Sequence, residues 1–119
     1  MVYGIDICRH RNLLASASRD DTVKLWNLEN NTLIKTYKYP MVVYDVVFSK
    51  PGNLLAFGGS YDYSVKLIDI SDLKKDNPIL DFKGHKYCVM RLTFSNDSKY
   101  LISASSDKSI IIWDVHKKK

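Results

Sequence analysis

The chain has 119 residues, and a composition of 45% hydrophobic and 26% charged residues is typical of a folded globular protein. The formal net charge of +5 permits acidic partners, but the lysines are not interleaved with an aromatic platform of the kind that binds single-stranded nucleic acid. No apolar run approaches the roughly 18 residues that a membrane-spanning helix needs. Nucleic acid and anionic lipid are therefore not expected as the main partners.

Short β-strands separated by turn residues are predicted along the whole chain, because β-branched and apolar residues alternate with polar ones and no helical period competes. In chain order, the predicted strands are 2–7, 13–18, 22–28, 32–37, 42–48, 54–59, 64–70, 78–82, 89–94, 100–105 and 109–115. The short connections predict antiparallel meanders of four, four and three strands. Both faces of the strand 100–105 carry apolar or small residues, which predicts that both are buried.

One segment recurs three times within these strands. It reads SASRDDTVKLWNL at 16–28, GGSYDYSVKLIDI at 58–70 and SASSDKSIIIWDV at 103–115. The aspartates Asp20, Asp62 and Asp107 in these segments are roughly 42 and 45 positions apart, a period expected for four short strands per repeat. The sequence therefore predicts a single array over 1–119, with units of about 2–37, 42–82 and 85–115.

The units resemble the WD-repeat family of β-propellers. The resemblance lies in Gly84-His85 ahead of an innermost strand, in the S-x-D turns that end at the three aspartates, and in the unit endings LWNL, LIDI and IWDV. It implies an all-β fold, a partial β-propeller of about three four-stranded antiparallel blades whose last blade lacks its outer strand. Because propellers close with typically four to eight blades, the chain is expected to form part of a larger propeller.

In that family a His, a Ser or Thr, an Asp and a Trp form a hydrogen-bonded chain that joins the inner strands of a blade. The resemblance assigns this structural network to His85, Ser103, Asp107 and Trp113 in the third unit, with Ser105 as the second choice for the serine. In the first unit it assigns Ser16, Asp20 and Trp26, and the histidine would precede Met1. The second unit keeps only Asp62, with Tyr39, Gly58 and Ile68 at the other positions. Packing alone is therefore expected to hold the second blade.

The serine, histidine and aspartate of the third unit are also the residue types of a hydrolytic triad. Neither Ser103 nor Ser105 lies in a nucleophile elbow or beside a glycine-rich oxyanion loop. The histidine is moreover needed for the network between strands. We therefore predict that the chain is not an enzyme and has no catalytic residue.

The two cysteines, Cys8 and Cys88, are too few for a disulfide-stabilised scaffold, and with the three histidines they show no metal-ligand spacing. Free thiols are expected, without a metal or a cofactor. No basic segment followed by an apolar one marks a secretory signal. The cytoplasm or the nucleus is the expected location.

Partners of the family commonly dock on the narrow rim of the propeller, which is formed by residues ahead of the inner strands and before the turn aspartates. By position these are Arg19, Pro40, Val42, Tyr61, Lys86, Cys88 and Ser106. Tyr61 and Arg19 are the main candidates, because Tyr and Arg are enriched at binding hot spots and the two residues occupy equivalent positions of adjacent repeats.

The predicted function is a non-catalytic protein–protein interaction scaffold that acts in a multi-subunit complex. The alternative is a binding module for acidic ligands, nucleic acid or phosphoinositide, whose affinity would fall steeply with added salt. Self-association through the open edges of the blades is also expected.

Overall fold

The computed structural model describes all 119 residues, which form eleven β-strands and one turn of 3-10 helix at Arg9–Arg11. The strands are β1 (Val2–Cys8), β2 (Leu13–Ser18), β3 (Thr22–Asn27), β4 (Thr32–Lys38), β5 (Val43–Phe48), β6 (Leu54–Gly59), β7 (Val65–Asp69), β8 (Leu80–Phe82), β9 (Val89–Phe94), β10 (Tyr100–Ser105) and β11 (Ile110–Asp114).

The strands form three antiparallel sheets in which each strand pairs with the next one along the chain. We call them blade one (β1–β4), blade two (β5–β8) and blade three (β9–β11). The prediction of an all-β array with four, four and three strands is confirmed. The helical turn at Arg9–Arg11 is far too short to span a membrane.

The three repeats share a D-x-S/T motif, which forms the turn between the second and third strands of each blade at 20–22, 62–64 and 107–109. The carboxylates of Asp20, Asp62 and Asp107 each accept a hydrogen bond from the hydroxyl group two residues further on. The residue between has a positive φ of 67°, 61° and 70° in the three blades. Because an aspartate side chain can bond the chain two residues on, it stabilises these tight turns. The repeated motif is thus a repeated turn.

The blades pack face to face, and small residues set their spacing. One apolar core fills the space between blades one and two, and a second core fills the space between blades two and three. In β6, Leu55, Ala56 and Phe57 are all fully buried, because this strand lies between two sheets. A Cβ atom on Gly58 would lie 2.9 Å from the side chain of Val89 in blade three, so glycine is required for this approach.

The prediction that both faces of β10 are buried is wrong. Leu101 and Ser103 are buried against blade two, whereas Ile102 and Ala104 on the other face are partly exposed. No sheet covers that face of blade three. The apolar pattern alone could not reveal which face lacks a neighbour.

The helical turn at Arg9–Arg11 was not predicted, and it links blade one to blade two. The guanidinium group of Arg11 donates to the carbonyl oxygens of Gly52 at 2.6 Å and Ile70 at 3.0 Å. These carbonyl groups lie in the loops next to β6 and β7 of blade two. Arg11 therefore fastens the two blades through hydrogen bonds in addition to their apolar core.

Self-association of the 119-residue chain is expected from the uncovered faces of blades one and three. Ile110 and Ile112 of β11 are 70% and 66% exposed, and Ile5 and Ile7 of β1 are exposed as well. Apolar sheet faces of this kind favour association. Sedimentation velocity should show oligomers, and replacing Ile110 and Ile112 by lysine should reduce them. A compact monomer at micromolar concentration would contradict this expectation.

Candidate functional site

The candidate site is one end of the three blades. The loops 19–21, 39–42, 60–64, 83–88 and 106–109 all leave the sheets at this end, since antiparallel strands in chain order alternate direction. We call this end the aspartate rim, because its loops carry the three turn aspartates. The opposite rim is formed by the loops 9–12, 28–31, 49–53, 70–79 and 95–99.

The structure brings the four predicted network residues of blade three together. The buried imidazole of His85 has its Nε2 atom 2.6 Å from Oγ of Ser103 and its Nδ1 atom 3.1 Å from Oδ2 of Asp107. Nε1 of Trp113 donates to the same Ser103 oxygen at 2.9 Å. An indole only donates, so the serine hydroxyl is free to donate to Nε2, and Nδ1–H then donates to Asp107. The polar side-chain atoms that join these four residues are thereby all satisfied.

Hydrogen bonds keep Asp107 ionised. The hydroxyl group of Ser109 donates to its carboxylate, as do the backbone amide of Lys86 at 2.9 Å and the imidazole of His85. These bonds, the one from Ser109 foremost, hold the pKa of Asp107 well below its ordinary value of 3.8. The aspartate thus joins the loop before β9 to the turn before β11.

Acid is expected to weaken blade three through Asp107. Because its pKa is depressed in the folded state, its contribution to stability is complete above about pH 4 and is lost as the pH falls below the unfolded value towards the folded one. In urea unfolding between about pH 7 and pH 2.5, Asp107→Asn should be less stable at neutral pH and depend less on pH below about 4. Parallel pH profiles for the variant and the natural chain would show that Asp107 does not contribute in this way.

Blade one contains only part of the network. Nε1 of Trp26 donates to Oγ of Ser16 at 3.1 Å, as in blade three. Asp20 bonds the hydroxyl group of Thr22 and lies 3.6 Å from Nζ of Lys24 instead of meeting a histidine. Ser16 and Trp26 are only half-buried, because they lie on the uncovered face of the blade.

The prediction that packing alone holds blade two is wrong. Its Lys66 side chain is only 9% exposed, and Nζ bonds Asp62 at 3.0 Å and also the carboxylate of Asp81. Nζ also lies 5.9 Å and 5.7 Å from the ring centroids of Tyr39 and Tyr61. A buried ammonium group needs such partners. Burial acts to lower the pKa of Lys66, but the bonds to Asp81 and Asp62 outweigh it and raise the pKa.

The assignment of Gly58 to the serine position of blade two is also wrong by one residue. In blade three, the residue four positions after the turn aspartate is Ile111, and it pairs with Ser103. In blade two, the residue four positions after the turn aspartate is Lys66, and it pairs with Phe57. The turn between β6 and β7 therefore contains one additional residue. A repeat alignment based on the aspartates could not show where the extra residue enters.

The additional residue changes the equivalence of Tyr61 and Arg19. The backbone amide of Arg19 donates to the carbonyl of Met1, and the matching bond in blade two runs from Ser60 to Val42. Ser60, not Tyr61, is thus the counterpart of Arg19. Tyr61 belongs to the longer turn and packs edge-on against Tyr39, with ring centroids 5.8 Å apart.

The other predicted partner-binding residues lie on the aspartate rim with little involvement in the core. The exposed members are Arg19, Pro40, Lys86 and Ser106, and the half-buried ones are Val42 and Cys88. Arg19 makes no side-chain hydrogen bond or ion pair within the chain. The partner-binding role of all these residues, and of Tyr61, stays a prediction.

Three exposed side chains on the aspartate rim were missed by sequence reasoning. They are Met41, Tyr63 and Tyr87. The rings of Tyr63 and Tyr87 lie 6.0 Å apart and connect blade two to blade three. The loops of the opposite rim contain no Phe, Tyr or Trp. Tyrosines within turn segments were the available signal, because turns seldom need large aromatic rings.

Comparison with protein families gives a direct result. The family model described as WD domain, G-beta repeat matches residues 1–27, 31–69 and 76–114, which together form most of the chain. The chain belongs to the WD-repeat family. The predicted resemblance is thereby confirmed.

Three curated relatives show how much of a protein such an array represents. Protein SPA1-RELATED 3 of Arabidopsis thaliana is 39% identical over 116 residues, which are 96% of this chain and 13% of the relative. WD repeat-containing protein 18 of Mus musculus is 32% identical over 114 residues, 88% of this chain and 26% of the relative. Nuclear distribution protein PAC1 of Arthroderma otae is 36% identical over 113 residues, which are 87% of this chain and 24% of the relative. The chain spans about a quarter or less of the length of these relatives.

Proposed function

We propose that this WD-repeat chain is a non-catalytic scaffold that binds other proteins through its aspartate rim. The observation that carries the proposal is the set of exposed apolar and aromatic side chains on that rim, which comprises Met41, Tyr61, Tyr63 and Tyr87. Such side chains are costly to expose and are enriched where proteins bind each other. Tyrosine in particular combines a large contact area with a hydroxyl group that can bond at the edge of an interface.

The geometry of blade three supports a structural and not a catalytic role for its polar residues. Ser103 is completely buried, and its oxygen already bonds both His85 and Trp113. A nucleophile would need access to a substrate and a nearby group to stabilise an oxyanion. The network instead ties β10 and β11 to the loop before β9, beneath the rim.

Assembly into a larger propeller and into a multi-subunit complex belongs to the same proposal. The uncovered faces of blades one and three, with Ile5 and Ile112 exposed, support packing against further sheets of the same kind. Both cysteines are free thiols, and this supports the cytoplasm or the nucleus as the location.

The proposal is tested by partner capture with single variants of the rim. Tyr61→Ala, Tyr87→Ala and Arg19→Ala should each weaken binding of native partners by about 1 kcal/mol or more, because aromatic and guanidinium anchors dominate interfaces. Tyr100→Ala is a matched control, since Tyr100 is 42% exposed at the start of β10, away from the rim, and Tyr61 is 41% exposed. Capture that survives all three rim variants but fails with the control would move the docking surface to the opposite rim.

A further inference from the structure

On the aspartate rim, most exposed positive charges are unpaired, whereas most negative charges are bonded to internal partners. Its exposed cations have no ion pair within the chain, and they are Arg19, Lys38, Lys83, Lys86 and Lys108. The carboxylates near them are mostly satisfied by internal partners. Asp62 and Asp81 bond Lys66, and Asp107 bonds His85. Asp20 lies beside Lys24. Asp107 meets a neutral imidazole, but its carboxylate is only 8% exposed, so Asp21 is the one exposed rim carboxylate without an ionic partner. The charge available to a partner is therefore predominantly positive.

Two of the free cations, Lys83 and Lys86, share the loop 83–88 with the exposed Tyr87, and Lys38 adjoins the loop 39–42. Lys86 directly precedes Tyr87, and Lys38 directly precedes Tyr39, whose ring contacts Tyr61 at a centroid distance of 5.8 Å. The Tyr63–Tyr87 contact makes the surface continuous across blades two and three. A partner that covers this surface must therefore supply both negative charge and apolar contact area.

The orientation of the rings favours a peptide over a nucleic acid. The Tyr39 and Tyr61 rings meet at 81°, and those of Tyr63 and Tyr87 at 58°, so neighbouring rings do not offer the parallel faces on which successive bases stack. Asp62 and Asp81 share the single ammonium group of Lys66 beside Tyr61, so one negative charge remains there and would repel a phosphate backbone. A flexible peptide segment can place its separate carboxylate side chains away from Asp62 and Asp81, unlike a continuous phosphate backbone.

We infer that the aspartate rim binds an acidic segment of a partner protein, in which Asp or Glu residues alternate with apolar or aromatic ones. This inference rests on the proposed protein-binding function and specifies the chemistry of the partner. The carboxylates of the segment pair with the free lysines and with Arg19, while its apolar side chains pack against Met41 and the exposed tyrosines. Electrostatic attraction accelerates the encounter, and the apolar contacts give the complex its lifetime.

Selection from a random 12-residue peptide library displayed on phage provides the probes for the test. Peptides that bind the 119-residue chain should be enriched in Asp or Glu beside Leu, Phe or Tyr. In fluorescence anisotropy, replacing every Glu and Asp of a selected peptide by Gln and Asn should weaken binding at least about tenfold, and added salt should weaken the acidic form more than the neutral one.

Two charge-reversal variants locate the binding surface. Lys38→Glu with Lys86→Glu alters the aspartate rim, and Lys74→Glu with Lys75→Glu makes the same change of net charge on the opposite rim. We expect at least about a tenfold loss of peptide affinity with the first pair and less than about a twofold loss with the second. Equal losses with both pairs would overturn the inference, because they would show attraction to net charge alone.

Other outcomes separate this inference from the proposed function. If selected peptides lack acidic residues but lose affinity with Tyr87→Ala, the scaffold proposal stands and the acidic specificity is overturned. If a 12-nucleotide oligo(dT) binds more tightly than every selected peptide and displaces the bound peptides, the rim binds nucleic acid and both proposals are overturned. If no peptide is selected above background, the inference fails while native partner capture still tests the scaffold.

Discussion

Replacing Gly59 with alanine is expected to destabilise blade two by about 3 kcal/mol or more, the largest effect of any single substitution considered for this chain. A Cβ atom at this position would lie 1.9 Å from the carbonyl oxygen of Val42 and 2.9 Å from Cα of Val43. Both obstructing atoms belong to the backbone, so no rotamer change can relieve the contact. The same Val42 carbonyl accepts the amide of Ser60 at 3.0 Å. The methyl group would therefore separate β5 from β6 where the aspartate rim begins.

Gly58→Ala is the comparison variant for this prediction, because a smaller loss of stability is expected from it. Its Cβ atom would meet the Val89 side chain at 2.9 Å, a contact between blades that a small shift of one sheet can relieve in part. Urea unfolding in dilute solution should therefore place Gly58→Ala between the natural chain and Gly59→Ala. Equal stability of Gly59→Ala and the natural chain would mean that β5 and β6 do not approach as closely as described.

Ser103→Ala is expected to destabilise blade three by about 2 to 4 kcal/mol. The substitution leaves both Nε2 of His85 and Nε1 of Trp113 without a partner in a buried region, and each unsatisfied group costs about 1 to 3 kcal/mol. The lost hydroxyl group is small, so the cavity it leaves adds little. The free energy of unfolding, measured with urea and followed by tryptophan fluorescence, should report the loss.

Ser16→Ala provides the matched control in blade one. This serine accepts a single hydrogen bond, from Trp26, on a half-buried face that water can reach. Water can replace the lost partner there, so the expected cost is below about 1 kcal/mol. Equal losses for the two serine variants would show that the histidine in blade three adds nothing to the network.

The strands and the repeat were predictable because they depend on local sequence. Alternation of apolar and polar residues marks a strand wherever it occurs, and the D-x-S/T turn forms through bonds that span two residues. The meeting of His85, Ser103, Asp107 and Trp113 came from the family resemblance, since residues that far apart in sequence have no local pattern in common. Their distances came only from the structure.

The candidate rim was predicted less completely. Tyr61 and Arg19 were identified by position, but the equivalence between them failed because the turn in blade two contains one more residue than the turn in blade one. Tyr87 was missed although its place in a turn segment was the available signal, because that signal does not show which other side chain lies beside it. Its significance comes from the ring of Tyr63, which approaches it from another blade.

The all-β repeat, the order of the strands and the turns that join them follow from the amino-acid sequence alone, because periodicity and turn chemistry act over a few neighbouring residues. The packed blades were needed to reveal that the bonds of Lys66 hold blade two in addition to packing, and that the positive charge of the aspartate rim is free. The reason is physical: whether a charge is paired depends on Asp81 reaching Lys66 across neighbouring strands, and such distances are fixed by register and packing. Neither the register of the strands nor the packing of the side chains can be deduced from the order of the residues alone.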